Sequence, residues 1–234
     1  AYLKAHYPAE FFTAVLTSDK DKNEKVVRAV HEARDWGLSV LPPDINASAI
    51  DFSVVYTHPE GSGPMQGPGK VKDRFAPQIR FGLGAVRGVG EAALEGVFEA
   101  RAEGQFLDLF DFASRVDAKR LNKGLLEALV QCGAFDSTLT PIGISRARAF
   151  ASIDRVLERA RSASRDRVRG QASLFGLLEP VSVVGTGALQ DYVAAEEWDS
   201  TELLRREKQA LGWHVSGHPL DRYGVRTSQV GAVG

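Results

Sequence analysis

The glycines at positions 88 and 90 are the residues of this chain best suited to chemistry, namely the binding of a phosphate group by the main chain. They form the center of segment 81–101, in which apolar residues recur at helical spacing on both sides of Gly88-Val89-Gly90. Because glycine has no side chain and tolerates positive φ, amides at such a bend can approach a phosphate oxygen closely. The positive end of the following helix adds to the attraction. The pattern predicts a helix-hairpin-helix that holds the DNA backbone through these amides and Arg87.

The same glycines also have a purely structural interpretation, in which Gly-Val-Gly only joins two packed helices. The apolar residues before the bend, Leu83 and Val86, and after it, Ala93 and Leu94, fit the whole motif and favour DNA contact. Such a contact reads the sugar-phosphate backbone and not the bases. We therefore expect binding that is independent of DNA sequence and weakened by salt.

A second, weaker hairpin follows in the sequence. Apolar stripes at 106–112 and 125–129 flank a turn over 116–122 that lacks the glycine pair. Its candidate phosphate ligands are therefore the side chains of Lys119, Arg120 and Lys123. Packing support for the first hairpin is the alternative role, and the pattern favours it.

No catalytic or metal site is predicted. Asp108 and Asp111 are the nearest pair of carboxylates, but their spacing around a phenylalanine-rich helix is typical of its solvated side. His214 and His218 are four residues apart, yet glycine and proline interrupt any helix that would bring them together as metal ligands. The single cysteine, Cys132, lies in an apolar stretch where a small side chain packs well.

Hydrophobic periodicity predicts a mainly α fold with a small β-hairpin. The strand 50–56 is expected to pair with 79–83 across a glycine- and proline-rich loop at 58–78. A flexible linker is expected over 165–180. The expected helices cover 9–17, 22–36 with Gly37 as the stop, 145–163 with Ser145 as the cap, and 200–211 ended by the residues 216–219.

Charge is balanced overall but uneven along the chain. The net charge is −1, yet residues 143–170 hold eight arginines against three acids, and 179–207 hold seven acids against two arginines. The basic stretch could follow a duplex backbone, although a solvated helix is a comparable interpretation. No run of eighteen apolar residues and no secretory pattern is present, which predicts a cytoplasmic protein without a membrane partner. A start at Ala1 suggests a piece of a longer chain.

Several stretches resemble the alpha subunit of bacterial DNA polymerase III, the replicative C-family polymerase. One of them reads Glu207-Lys-Gln-Ala-Leu-Gly-Trp-His-Val-Ser-Gly-His-Pro-Leu220, and the others occur in the family's order at 1–11, 40–46, 79–90 and 126–136. The resemblance implies template-directed DNA synthesis by the parent chain. The palm carboxylates that bind Mg²⁺ would lie upstream, so this fragment would hold no cofactor and would be non-catalytic.

The resemblance also implies a domain order. Residues 1–45 would end the fingers region, 46–140 would form a tandem helix-hairpin-helix domain, 141–180 would be a basic helix and clamp-binding linker, and 181–234 would lead to an OB-fold. The expected partners are duplex DNA, the sliding clamp (the beta subunit), the remaining polymerase domains and other holoenzyme subunits. Two alternatives stay open: an error-prone alpha-subunit paralogue and a stand-alone helix-hairpin-helix scaffold protein.

The clamp contact is assigned to a short peptide. Residues Gln171, Ala172, Ser173, Leu174 and Phe175 resemble the pentapeptide by which bacterial polymerases hold the sliding clamp. An extended peptide of this kind can place two apolar side chains in a pocket while the glutamine meets polar groups at the rim. The alternative is that the two apolar residues anchor the linker onto the body of the protein.

Overall fold

The computed structural model describes residues 2–56, 77–168 and 187–217, and these are mainly α-helical, as predicted. No helix within these three ranges is long and apolar enough to cross a membrane. The helices are α1 (Tyr2–His6), α2 (Pro8–Ser18), α3 (Asn23–Asp35), α4 (Glu91–Ala102), α5 (Leu109–Arg115), α6 (Lys123–Gln131), α7 (Asp136–Leu139), α8 (Arg146–Ala151), α9 (Ile153–Val168), α10 (Gly187–Asp191) and α11 (Ser200–Leu211).

The small sheet has three described strands, one more than predicted. They are β1 (Ser39–Leu41), β2 (Ser53–Tyr56) and β3 (Pro77–Arg80), in the order β1-β3-β2. The predicted pair is present as antiparallel β2 and β3, and β1 adds a parallel partner to β3. The predicted start of β2 at residue 50 is wrong, because the carbonyls of Ala49 and Ile50 accept hydrogen bonds from the amides of Leu83 and Gly84 instead of a sheet partner.

The predicted helix ends at Gly37 and Ser145 are confirmed, because a glycine or a capping side chain fixes each of them. Gly37 follows α3 with φ of 86°, as a helix-stopping glycine should.

The predicted single helix 145–163 is instead two helices, although Ser145 caps the first of them. They are divided at Ser152, whose buried hydroxyl donates to Arg148 O and accepts from Val193 N. This hydroxyl competes with the helical main chain for partners.

The predicted bounds of the last helix, 200–211, are confirmed, but the residue that stops it differs from the prediction. The helix stops at Gly212, which has a left-handed φ of 83°, and not at 216–219. Residues 212–217, called here the return loop, then fold back along the helix. Buried Glu207 holds this loop, because its Oε2 accepts from the amides of Val215 (2.7 Å) and Ser216 (2.9 Å).

One cluster of buried apolar residues connects the helices and the sheet. It extends from Phe12 in α2 to Trp213 in the return loop, and Phe81 touches both Phe52 and Trp213 within it. Cys132 is fully buried in this cluster, and burial raises the pKa of its thiol to about 12. The thiol therefore serves packing, in agreement with its apolar sequence context. The four-part domain division stays a prediction.

Candidate nucleic-acid interface

The glycine bend lies open to solvent at the start of α4. A 3₁₀ turn at Leu83–Ala85 precedes it, and Gly90 is the N-terminal cap of the helix. Arg87, Gly88 and Gly90 are exposed, and Val89 is half-buried. Gly88 has the positive φ expected of such a bend, at 84°, whereas Gly90 has an ordinary extended conformation with φ of −86°. The two glycines therefore serve different purposes.

The main-chain donors of the bend differ from the predicted set. The Val89 amide donates to a carbonyl inside the bend (3.2 Å), and the Arg87 amide donates to Ala210 O in α11 (2.9 Å). The amides of Gly88 and Gly90 have no acceptor among the described residues, and neither do the first two amides of α4. The bend therefore offers two glycine amides and a helix N-terminus to a ligand.

The surroundings of Gly82, Gly84, Gly88 and Gly90 show which of these positions require glycine for the packing or the main-chain conformation of the protein itself. A Cβ added to Gly82 or Gly84 would lie 2.5 or 2.9 Å from the Ile50 carbonyl oxygen, so both positions need glycine for packing. Gly88 requires glycine because its φ is positive, at 84°. A Cβ on Gly90 would meet nothing within 4 Å, and its φ suits any residue. Of these four glycines, Gly90 alone has neither a packing nor a φ requirement, and its open side leaves room for an outside group. As the N-cap of α4 it keeps only the general preference of that position for glycine over alanine or valine.

Side-chain charge at the bend is mixed. The Arg87 guanidinium turns toward the end of α11, where its Nη1 lies 3.4 Å from Gln209 O. Glu91, the first residue of α4, is exposed beside the bend and carries the opposite charge. Any attraction for phosphate at this point therefore comes from main-chain amides more than from side-chain charge.

In the second hairpin, two of the three predicted basic ligands are already paired. Arg120 contacts Glu99 at 3.3 Å, and Lys123 contacts Asp154 at 2.9 Å. Both pairs are largely exposed, so they are weak and can exchange for a phosphate partner. Lys119 is exposed and has no acidic partner among the described residues.

Lys119 shares an open groove of about 550 Å³ with two arginines of α9, Arg161 and Arg165, and one acidic residue of α9, Glu158, also lines it. These two arginines are one helical turn apart and therefore lie on the same face. By contrast, Arg155 and Arg159 contact Asp191 of α10. We call Lys119, Arg161 and Arg165 the basic groove. The structure thus brings together two features that the sequence suggested separately, the second hairpin and the basic helix.

Other candidate residues have structural roles or lie outside the described ranges. Asp108 caps α5 by accepting from Asp111 N at 2.7 Å, and burial raises its pKa. Asp111 pairs with Arg115 at 3.2 Å. Among the described residues no group of three potential metal ligands comes together. His218, the loop 58–78 except its last two residues, and the clamp peptide 171–175 fall outside the described residues.

Comparison with known proteins decides the relationship. Residues 37–149 match the family described as "Helix-hairpin-helix motif". The DNA polymerase III subunit alpha of Vibrio cholerae is 40% identical over 225 residues, and those of Xylella fastidiosa and Escherichia coli are 39% and 38% identical. This chain is homologous to the DNA polymerase III alpha subunit. The resemblance seen in the sequence is therefore confirmed.

Each of these polymerase III alpha comparisons covers 95% of this chain and 17% of the relative. The helix-hairpin-helix match includes the sheet, the glycine bend and Lys119, and it ends inside α8. Arg161 and Arg165 follow it in α9. The predicted helix-hairpin-helix fold is confirmed, and the basic groove crosses the C-terminal limit of the match.

Proposed function

We propose that this chain is the DNA-positioning part of a replicative DNA polymerase III alpha subunit and that its glycine bend holds the backbone of duplex DNA. The observation that carries the proposal is Gly90. It is exposed, its amide lacks an acceptor among the described residues, and neither its φ nor its neighbours require glycine. An approaching phosphate accounts for the missing side chain.

In the proposed contact, one phosphate oxygen accepts hydrogen bonds from the amides of Gly88 and Gly90. The first amides of α4 and the positive end of its dipole add to the attraction. The basic groove contributes a second, ionic contact with the same strand or the opposite one. None of these groups reads a base edge, so binding is independent of sequence.

The wider activity is proposed by homology. The parent chain would add deoxynucleotides to a primer with Mg²⁺ held by residues outside this chain, in the cytoplasm and together with other holoenzyme subunits. Clamp tethering by residues 171–175 stays a sequence prediction. The error-prone paralogue and the stand-alone scaffold protein remain the alternatives, and palm carboxylates in the flanking reading frame would exclude the scaffold.

Gly90→Val should weaken duplex binding at least about ten-fold at low salt, because the side chain enters the space a phosphate needs and shields two amides. The φ of Gly90 suits valine, so we expect a small change in the free energy of unfolding. Fluorescence anisotropy with two duplexes of unrelated sequence would measure the affinity. Gly88 is less suitable for this test because its φ of 84° would strain any substitute.

Ala102→Val is the matched control for Gly90→Val, since Ala102 is exposed at the opposite end of α4. It adds similar bulk to the same helix and should leave duplex affinity within about two-fold of the original. Unchanged binding by the Gly90→Val protein would remove the bend from the DNA contact.

Arg161→Gln/Arg165→Gln should lower the salt dependence of duplex binding. Each lost phosphate contact reduces the slope of log K against log salt by about one, so a decrease of about two is expected. The control is Arg155→Gln/Arg159→Gln, which removes the same charge from another part of the same helix where both arginines contact α10. Equal slopes for the two double variants would exclude the basic groove.

A further inference from the structure

A second pocket lies between α3 and the return loop, and none of its lining residues belongs to the glycine bend or to the basic groove. Its volume is about 380 Å³, within the range of roughly 300–1,000 Å³ typical of small-ligand sites. Four of its lining side chains are basic or imidazole groups, and none of the lining residues is acidic: they include His31, Arg34, Lys208 and His214.

Two elements bring these four side chains together. His31 and Arg34 are three residues apart and share one face of α3. Lys208 lies in the last turn of α11, and His214 lies in the return loop. The His214 Nδ1 is 3.0 Å from Leu204 O, which leaves its Nε2 for another partner.

The return loop forms one wall of the pocket and is held by hydrogen bonds to α11. The left-handed conformation of Gly212 turns the chain, and Glu207 receives the amides of Val215 and Ser216. The other oxygen of Glu207 contacts Arg146 at 2.8 Å. Both oxygens of the Glu207 carboxylate therefore already have partners. Glu207 does not line the pocket and does not pair with its basic side chains.

One residue in the wall of the pocket has a buried hydrogen-bond donor that lacks a partner. Trp213 is 3% exposed, and its indole Nε1 is buried without an acceptor among the described residues. A buried N–H of this kind is uncommon and calls for an acceptor. Arg34 lies over the same ring, with its guanidinium carbon 4.5 Å from the centroid, and no carboxylate pairs with Arg34 or Lys208 within the described ranges. Partial burial of Arg34, which stays exposed overall, lowers its pKa.

These groups define the chemistry of the ligand. The pocket presents the side chains of Arg34 and Lys208 and two imidazoles, and its wall includes Trp213, whose buried indole N–H lacks an acceptor among the described residues. Together these groups suit an anion rich in acceptors. Trp213 offers no free ring for stacking a base, because it is buried between contacts with Phe81 and Arg34. We propose that this pocket binds a phosphate group, supplied either as a free anion such as pyrophosphate or by a nucleic-acid strand. This site is independent of the glycine bend.

Pyrophosphate titration of the full chain, followed by the indole N–H signals in ¹H–¹⁵N spectra, tests the proposal. The chain has three tryptophans, and Trp36→Phe and Trp198→Phe identify the signal of Trp213. We expect the Trp213 signal to shift saturably while the other two stay in place. Absence of a saturable shift with both pyrophosphate and oligonucleotides would overturn the proposal.

Arg34→Met/Lys208→Gln should weaken pyrophosphate binding at least about ten-fold, because the double variant removes two charge-assisted hydrogen bonds to the anion. Methionine preserves the apolar stem over Trp213, and thermal melting checks the fold. Lys208→Gln alone, at an exposed position, should weaken binding about five-fold if the double variant unfolds. Arg155→Gln/Arg159→Gln removes the same charge elsewhere and should stay within about two-fold. If this control weakened pyrophosphate binding equally, the binding would reflect nonspecific electrostatic attraction, and the proposed site would be overturned.

Oligonucleotides distinguish the two sources of phosphate. A strand that shifts the Trp213 signal and loses affinity in Arg34→Met/Lys208→Gln identifies nucleic acid as the source. A response to pyrophosphate alone identifies a free anion. The Gly90→Val protein should keep its full pyrophosphate response, so failure of the bend and failure of the pocket give different results.

Discussion

Arg146→Met should destabilise the chain by about 3–5 kcal/mol, because it leaves a fully buried carboxylate, Glu207, without its cation. Arg146 also binds Asp136 through its Nε at 2.8 Å. It thereby connects α7, α8 and α11, and through Glu207 it supports the return loop. Urea unfolding followed by circular dichroism would measure the loss.

The pH dependence of this effect has a defined sign. Burial acts to raise the pKa of Glu207, but hydrogen bonds from Ser216, Arg146 and Val215 outweigh it and lower the pKa below the ordinary value of 4.5. The stability that Glu207 contributes is therefore present above pH 4.5 and is lost as pH falls through the lowered value. In the Arg146→Met protein this pKa should rise, so the stability difference between the two proteins should narrow in acid.

Arg205→Met is the matched control, since Arg205 pairs with Glu202 at the surface. Exposed pairs contribute little to stability, so we expect a much smaller loss than for Arg146→Met. A loss of the same small size for Arg146→Met would show that the buried network does not support the fold.

Gly82→Ala should also destabilise the fold strongly, by about 3 kcal/mol, since overpacking against main chain is not easily relieved. Its Cβ would lie 2.5 Å from both the Ile50 carbonyl oxygen and the Asp51 carbonyl carbon. The contact lies beside the hydrogen bond from Leu83 N to Ala49 O, which joins the first hairpin to the segment before β2. Thermal and urea unfolding would both report the loss.

Gly90→Ala provides the comparison within the same motif. Its added Cβ meets no atom within 4 Å, and its φ is −86°, so only the N-cap preference for glycine is lost and unfolding should change by about 1 kcal/mol or less. Equal destabilisation at Gly82 and Gly90 would contradict the division between glycines needed for packing and a glycine left free for a ligand.

The glycine bend and the basic groove attract phosphate through different groups. The bend offers unpaired amides next to mixed side-chain charge, whereas the basic groove offers side-chain charge on α9 and the turn before α6. Salt should therefore weaken the groove contact more than the bend contact. This difference explains why Gly90→Val is expected to change affinity and Arg161→Gln/Arg165→Gln to change the salt slope.

Local patterns in the sequence determined the helices, their clearest ends and the position of the glycine bend. Gly37 ends α3 and Ser145 caps α8 because those effects act within one turn of the chain. The positive φ of Gly88 is also local. The sequence motifs were also sufficient to find the resemblance to the family, since stretches that occur in the family's order can be matched without knowledge of their contacts.

Long-range packing decided the rest. Gly82, Gly84 and Gly90 look alike in sequence, yet only the approach of Ile50 shows that Gly82 and Gly84 serve packing and that Gly90 does not. The division of the predicted helix at Ser152 depends on Val193, 41 residues away. Lys119 and Arg161 meet only because α5 and α6 pack against α9. Spacing along the chain carries no information about such contacts, because they form only when distant elements share one core.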